Sequence, residues 1–185
     1  MTPGDARMRV FDDALACEEA RPVAFVPGAM DAHARHAHGL RAEGLLRALA
    51  IVEDSRVDEP EDHGPTELAL HRMEAKLDLL TALVARLAQR DGHDPVQPLR
   101  WTARGAELVL PLVLAPGEEG GLRIQPSDWL PDPITLPARV LHATPASAGT
   151  QAVIAFDALS PTLEAALERH LFRIHRRAVA EAKRR

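Results

Sequence analysis

Residues 66–90 place apolar side chains at steps of three and four along TELALHRMEAKLDLLTALVARLAQR. This spacing is a heptad repeat, and no Gly or Pro interrupts it. At about 1.5 Å per residue, the segment would form a helix roughly 37 Å long. We call it the heptad segment. Its apolar seam, which predicts oligomerisation, consists of Leu70, Met73, Leu77, Leu80, Val84 and Leu87, with Leu83 beside it.

The seam predicts self-association, because six apolar side chains in register gain stability only when a second surface covers them. The alternative is an amphipathic helix that packs on its own domain. Leu83 widens the apolar face, and a wide face is buried more completely in three or four helices than in two. The pattern therefore favours more than two chains and leaves the number open.

The chain before the heptad segment predicts one strand and one helix. Residues 21–27, RPVAFVP, have strand composition, and their two prolines suit the edge of a sheet. The preceding DDALACEEA fits either a short helix or an extended lead-in. Residues 28–52 have helical periodicity, and a charged loop rich in acidic residues follows them. We therefore predict an N-terminal segment over residues 1–27 with a possible barrel strand, and a helical oligomerisation region over 28–92.

The pattern changes to a period of two after residue 95. Apolar residues alternate from Ala106 to Leu114, and further strands are predicted near residues 121–124, 134–142 and 150–156. Ser160 and Pro161 then start a last helix. Its sheet-facing residues are predicted to be Leu163, Leu167, either Leu171 or Phe172, Ile174 and Ala178. Residues 95–185 are thus predicted to form a small antiparallel β-barrel with a C-terminal helix. The fold class is α+β, with two accessory helices.

The composition argues against several classes of function. Aromatic residues make up 3% of the 185 residues and the net charge is −5, which argues against nucleic-acid binding. The single Cys17 excludes an internal disulfide and a multi-cysteine zinc site. No apolar run is long enough to span a bilayer and the first residues lack a secretory pattern, so we expect a cytoplasmic protein without membrane contact. The basic residues from Arg169 to Arg185 could dock an acidic protein or a nucleic acid, although dipole complementarity at a helix end together with solubility is the favoured interpretation.

No catalytic or metal site emerges from the spacing of reactive residues. His33 and His36 share a helix face while His38 points elsewhere, and we interpret the three as solvated side chains. Cys17 and Ser160 lack the spacing of a nucleophile, and no Gly-rich phosphate loop is present. We predict a protein that is not an enzyme and needs no cofactor.

The segment RWTARGAELVLP resembles the D/N-x-S-x-x-G signature of the PilZ domain, with Arg100, Thr102 and Gly105 at the three signature positions. The PGEEGG turn, the LPARVL and GTQAVIAFDALS strands and the ALERHLFRIHRR helix follow in PilZ order. The heptad segment ahead of them makes the chain most similar to the atypical tetrameric PilZ proteins of Xanthomonas-type bacteria. That resemblance implies a homotetramer through residues 66–90. It also implies regulation of motility, type IV pili or virulence together with an unidentified signalling or pilus-related protein.

The resemblance further implies a cyclic di-GMP site, from which this sequence departs. Arg100 has only donors where the family has an acceptor for a guanine N–H, whereas Thr102 keeps a hydroxyl. The R-x-x-x-R spacing recurs at Arg100 and Arg104 and in the last helix. Only Arg86 and Arg90 lie upstream of the signature, where the family places its pair, and they fall inside the heptad segment. We therefore predict a PilZ adaptor without standard cyclic di-GMP binding. The alternative is an atypical dinucleotide receptor that uses Arg86, Arg90 and Arg100.

Overall fold

The computed structural model describes residues 1–55, 94–130 and 132–184, together with the helical positions Leu70, Met73, Leu77, Leu80 and Val84. Six antiparallel strands form a closed barrel in the order β1-β2-β3-β6-β5-β4. The strands are β1 (Cys17–Pro27), β2 (Val96–Thr102), β3 (Gly105–Leu110), β4 (Glu119–Ile124), β5 (Ile134–Ala146) and β6 (Gly149–Phe156). Within residues 1–55 and 132–184, the helices are α1 (Pro3–Phe11), α2 (Ala32–Ser55) and α3 (Pro161–Ala182), and the described positions of the heptad segment are helical as well. The predicted class, an antiparallel barrel with a C-terminal helix, is confirmed.

Strand β1 is shared between two neighbours in the barrel. Its first half pairs with β2 up to Pro22, and its second half pairs with β4 from Val23 onwards. The expectation of a free sheet edge at the two prolines is therefore wrong, because a closed barrel has no free edge. Proline is tolerated here for a different reason: Pro22 lies where pairing passes from one neighbour to the other, and Pro27 ends the strand.

The helical region is inserted between two paired strands. Strands β1 and β2 are neighbours in the barrel although residues 28–95 separate them in the chain. Helix α2 begins at Ala32 rather than at residue 28, because the Asp31 carboxylate accepts a hydrogen bond from the Ala34 backbone N–H at 2.7 Å. The heptad segment therefore belongs to the connection between two neighbouring strands of the barrel.

Some strand limits differ from the expected ones. Strand β3 stops at Leu110, before Pro111, whereas the alternation of apolar residues continues to Leu114. Strand β2 was not expected, because Pro98 interrupts its pattern. Strand β1 begins at Cys17, ahead of the apolar run that predicts it.

Aliphatic side chains fill the barrel around Trp101, which is fully buried. Helix α3 closes this core with Leu163, Leu167 and Leu171, while Phe172 points outwards and is 53% exposed. The Ser160 hydroxyl caps α3 by accepting from the Leu163 N–H at 3.2 Å. Helix α2 packs alongside α3 and β5 through its buried face, formed by Ala42, Leu46 and Leu49.

Helix α1 packs on the outer surface of the barrel. Ala6 and Val10 form a second small core with Leu141 and Val153, which project outwards from β5 and β6. A capping box starts the helix: the Thr2 hydroxyl accepts from the Asp5 N–H, and the Asp5 carboxylate accepts from the Thr2 N–H. The barrel therefore has an internal core and an outer patch that α1 covers.

Candidate functional site

The signature positions lie together on the hairpin of β2 and β3. Thr102 ends β2 and Gly105 begins β3, so that a two-residue turn joins the strands, and Arg100 lies two residues earlier on β2. Arg86 and Arg90 lie outside the described residues. The described part of the site therefore consists of the β2–β3 hairpin and of the residues of α1 and β1 that contact it.

The Thr102 hydroxyl is used by the fold itself. Thr102 is fully buried, and its hydroxyl donates to the Val10 carbonyl oxygen at 2.9 Å. The Thr102 hydroxyl oxygen in turn accepts a hydrogen bond from the Arg104 backbone N–H at 3.0 Å. One bond holds the end of α1 and the other holds the hairpin turn. Because its proton is donated to Val10 and the side chain is buried, this hydroxyl is not available to a ligand.

Arg100 faces helix α1 and a group of carboxylates. Its guanidinium carbon lies 4.4 Å from the centre of the Phe11 ring, and its Nε lies 3.5 Å from a Glu18 carboxylate oxygen. A depression of about 420 Å³ beside it is also lined by Glu19 and Glu107. Glu18 faces Arg100 directly, whereas Glu19 is paired with Arg21 and Glu107 with Arg7. Arg100 would therefore have to give up its contacts with Phe11 and Glu18 to bind a phosphate.

Gly105 is required by a close backbone contact. A Cβ at this position would lie 2.1 Å from the Ile154 carbonyl oxygen on β6, a separation that real Cβ atoms do not adopt. The glycine therefore serves the pairing of β3 with β6. The structure thus supplies a reason for glycine at this signature position that involves no ligand.

Helix α1 covers the signature hairpin at several points. The Arg104 guanidinium donates to the Asp12 carbonyl oxygen at 2.9 Å, and Arg7 forms a two-point ion pair with Glu107 on β3. Sequence analysis missed this helix. The signal for it was present in Thr2-Pro3-Gly4-Asp5, since a capping Thr, a Pro at the first helical position and an acid at the third are typical of a helix start.

The described positions of the heptad segment are helical and exposed. The exposed fractions are 53% for Leu70, 62% for Met73, 59% for Leu77, 57% for Leu80 and 64% for Val84. Leu83 and Leu87 lie outside the described residues. Seam positions spaced by three and four residues that all remain more than half exposed are not packed on the barrel of their own chain.

A buried carboxylate ties α2 to α3 near the entry to the heptad segment. Glu53, which is 9% exposed, lies 3.3 Å from the Arg173 Nε and 3.0 Å from an Arg177 guanidinium nitrogen. The ion pairs fix the last turn of α2 against the helix that closes the barrel.

Two buried groups, His170 on α3 and Cys17 at the start of β1, have displaced pKa values. Burial lowers the pKa of His170 to about 3, and the neighbouring Arg173, Arg177 and Arg21 add to the shift. Burial and the Glu19 carboxylate raise the pKa of the Cys17 thiol to about 11, and the thiol donates to the Leu171 carbonyl oxygen at 3.3 Å. Both groups are held neutral inside the core.

The remaining candidates give no further site in the described parts of the chain. His33 and His36 are exposed on α2, and His38 on the same helix is half-buried. No group of three metal-ligating side chains occurs among the residues that the structure describes. No helix over the same residues is long and apolar enough to cross a membrane.

Comparison with known proteins identifies relatives of this arrangement. A structure from Xanthomonas campestris, a pathogenic protein described as a new tetrameric PilZ domain self-assembled via an unusual helical bundle, is 39% identical. The similarity covers 96% of this chain and 97% of that chain, with a TM-score of 0.81. The PilZ domain of YcgR from Escherichia coli, solved with c-di-GMP, is 18% identical over 49% of this chain and 80% of that chain, with a TM-score of 0.37. No curated protein matches the sequence.

The family comparison covers most of the chain. The family model described as "atypical PilZ domain, cyclic di-GMP receptor" matches residues 46–184. That range includes the heptad segment, the hairpin with the signature positions and the closing helix α3. This chain belongs to the atypical PilZ domain family.

Proposed function

We propose that this protein is a non-catalytic signalling adaptor that self-assembles through the heptad segment and acts by protein contacts. The proposal rests on one observation: the side chains at the signature positions stabilise the fold itself. Thr102 anchors α1, Arg100 lies between Phe11 and Glu18, and Gly105 serves the strand pairing. A hairpin used in this way keeps the PilZ barrel and gives up the groups that would hold cyclic di-GMP.

The exposed seam supports the second half of the proposal. Five helical side chains that are each more than half exposed present an apolar surface that association would cover. The Xanthomonas campestris relative is a tetramer built by a helical bundle, and this chain aligns with nearly all of it. We infer a homotetramer through residues 66–90. Four barrels held together would bind a repeated partner with higher avidity than one barrel.

We infer that such an adaptor works in cyclic di-GMP-related regulation of motility, type IV pili or virulence. The partner would be a signalling or pilus-related protein in the cytoplasm. The family to which the chain belongs supports this placement, and the surface of the barrel is where the partner would bind.

A second candidate function follows from the description of the family as a cyclic di-GMP receptor. In this alternative, Arg86, Arg90 and Arg100 form an atypical dinucleotide site. Arginine suits such a site, because its planar group bonds phosphate at two points and stacks on bases.

Isothermal titration of the intact chain with cyclic di-GMP separates the two functions. The adaptor proposal predicts no heat of binding up to about 100 µM ligand. A dissociation constant of about 10 µM or tighter would overturn it. In that case an Arg100→Ala variant with at least tenfold weaker binding would favour the receptor.

A further inference from the structure

Helix α3 carries one wall of an open groove on the barrel surface. The groove has a volume of about 530 Å³ and lies between α3, the turn of the β2–β3 hairpin and the segment that joins α1 to β1. Its lining includes Leu15, Arg104, Arg169, Phe172, Arg173 and Arg176. The groove is distinct from the depression beside Arg100, which lies on the outer face of β1, β2 and β3.

The α3 wall is one continuous face of the helix. Arg169, Phe172 and Arg176 are spaced by three and four residues, so they point in one direction over two turns. The two arginines are therefore separated by roughly 10 Å along the helix axis, with the aromatic ring between them. This order of cation, ring and cation is built into the sequence of α3.

The two arginines are available to a ligand. Neither Arg169 nor Arg176 forms an ion pair or hydrogen bond with another described residue, and both are exposed. Their neighbours on α3 behave differently, since Arg173 and Arg177 are held by Glu53. The structure thus separates two structural arginines from two that have no described partner.

The floor of the groove is apolar. Phe172 is 53% exposed and Leu15 is 39% exposed. A protein that has only four Phe residues keeps one of them outside its core, in the middle of a basic face. Aromatic and Arg side chains are the residues that most often dominate binding energy at protein interfaces.

We propose that this groove binds an acidic segment of a partner protein in which an apolar side chain lies between two carboxylates. The carboxylates would pair with Arg169 and Arg176, and the apolar side chain would cover Phe172 and Leu15. This inference rests on the proposed adaptor function and deepens it by naming the chemistry of the partner.

The charges in the groove favour a peptide over a nucleic acid. Asp13 and Glu168 line the same groove as the arginines. A phosphate backbone presents evenly repeated negative charge and would meet both carboxylates, whereas a peptide can place its acids only where the arginines lie. The single exposed ring also offers stacking for only one base.

Selection from a displayed library of random dodecapeptides tests the inference on the intact chain. The selection uses the unaltered protein and is counter-selected against an Arg169→Glu/Arg176→Glu variant. The enriched peptides should carry at least two acids around an aromatic or aliphatic residue. Fluorescence anisotropy should then show at least tenfold weaker binding of these peptides to the double variant, and about tenfold weaker binding to Phe172→Ala.

Arg184→Glu is the matched control, because it reverses a charge on the same chain segment beyond the groove. Its affinity for the peptides should stay within twofold of the intact chain. Light scattering should give the same mass for every variant. Enrichment of peptides without acids, or equal binding to the charge-reversed variant, would overturn the inference. Tighter binding of single-stranded polyuridylate through the same arginines would also overturn it in favour of a nucleic-acid ligand.

These outcomes are independent of the cyclic di-GMP titration. Peptide binding can fail while the dinucleotide gives no heat, which would leave the adaptor function standing with a different contact surface. Conversely, a dinucleotide that binds would overturn the proposed function without any change at Arg169 or Arg176.

Discussion

Replacing Thr102 by Val should separate a structural role of this signature position from a ligand-binding role. The side chains have nearly the same shape, but Val has no hydroxyl. The Val10 carbonyl and the Arg104 N–H would each lose a partner at a site that is fully buried. An unpaired buried polar group costs about 1–3 kcal/mol, and the exposed turn around Arg104 lets water replace part of the loss. We therefore expect a loss of about 2 kcal/mol in the free energy of unfolding.

Thr102→Ser is the matched control, because it keeps the hydroxyl and removes only a methyl group. It should cost about 1 kcal/mol or less. Denaturant unfolding at a single protomer concentration measures the difference, since assembly makes stability depend on concentration. If α1 opens locally, the amides of α1 should also exchange about 30-fold faster in Thr102→Val, as expected for about 2 kcal/mol.

The reasoning fails if Thr102→Val unfolds within about 0.5 kcal/mol of the unaltered protein and α1 exchanges at the same rate. Thr102 would then not anchor α1, and its hydroxyl would again be available for a ligand. Equal losses in Thr102→Val and Thr102→Ser would show that packing rather than hydrogen bonding sets the cost.

Three further predictions follow from buried or tightly packed groups. Gly105→Ala should lower the free energy of unfolding by about 3 kcal/mol or more, because the added Cβ meets the backbone of β6. Gly44→Ala, on an open face of α2, should instead raise the free energy of unfolding by about 0.5–1 kcal/mol. His170 has a folded pKa of about 3, below the unfolded value near 6.5, so the unfolded chain binds more protons between these limits and stability should fall by about 2 kcal/mol from pH 7 to pH 5. Between pH 7 and pH 5, the His170→Leu variant should lose about 2 kcal/mol less stability than the unaltered protein. The His36→Gln variant should lose as much as the unaltered protein. Cys17, with a pKa of about 11, should react with a thiol reagent at pH 8 more than about 100-fold more slowly in the folded than in the unfolded chain.

The parts of the fold that were predicted correctly depend on local patterns. Strands β5 and β6 are marked by alternation and by turn residues, and α3 is marked by Ser160 and Pro161 at its start. In each case the information lies within a few residues of the element. The resemblance to the PilZ family added the expectation of a tetramer, because the heptad pattern leaves the number of chains open.

The parts that were missed depend on distant contacts. Strand β2 has a weak pattern because Pro98 interrupts it, and it is stabilised by pairing with β1 across the whole helical insertion. The use of the Thr102 hydroxyl likewise depends on α1, some ninety residues earlier in the chain. A motif could mark the position of Thr102, but only the packing of α1 reveals what its hydroxyl does.

The groove on α3 shows a further limit of sequence patterns. Leu171 and Phe172 are both plausible core residues by helical spacing, and the structure buries Leu171 while exposing Phe172. The basic residues of α3 look alike in the sequence, yet Glu53 holds Arg173 and Arg177 and leaves Arg169 and Arg176 to the groove. The difference between them arises from the position of α2.

The ion pairs of Glu53 suggest how assembly and partner binding could be connected. They fix the end of α2, from which the chain continues towards the heptad segment, to the helix that forms the groove wall. If the heptad segment gathers four chains, the assembly carries four copies of the groove. Multivalent binding of a repeated acidic partner would be the expected consequence.

Light scattering on the intact chain beside a Leu77→Glu/Leu80→Glu variant tests self-assembly through the heptad segment most directly. We expect a mass near four times the 20.1 kDa of one chain for the intact protein. The variant should give the mass of one chain, because it buries two carboxylates per helix in the seam. Val113→Glu is the control, since Val113 is 92% exposed outside the seam, and it should keep the larger mass. An intact chain that is monomeric, or a double variant that assembles like the intact chain, would contradict the account.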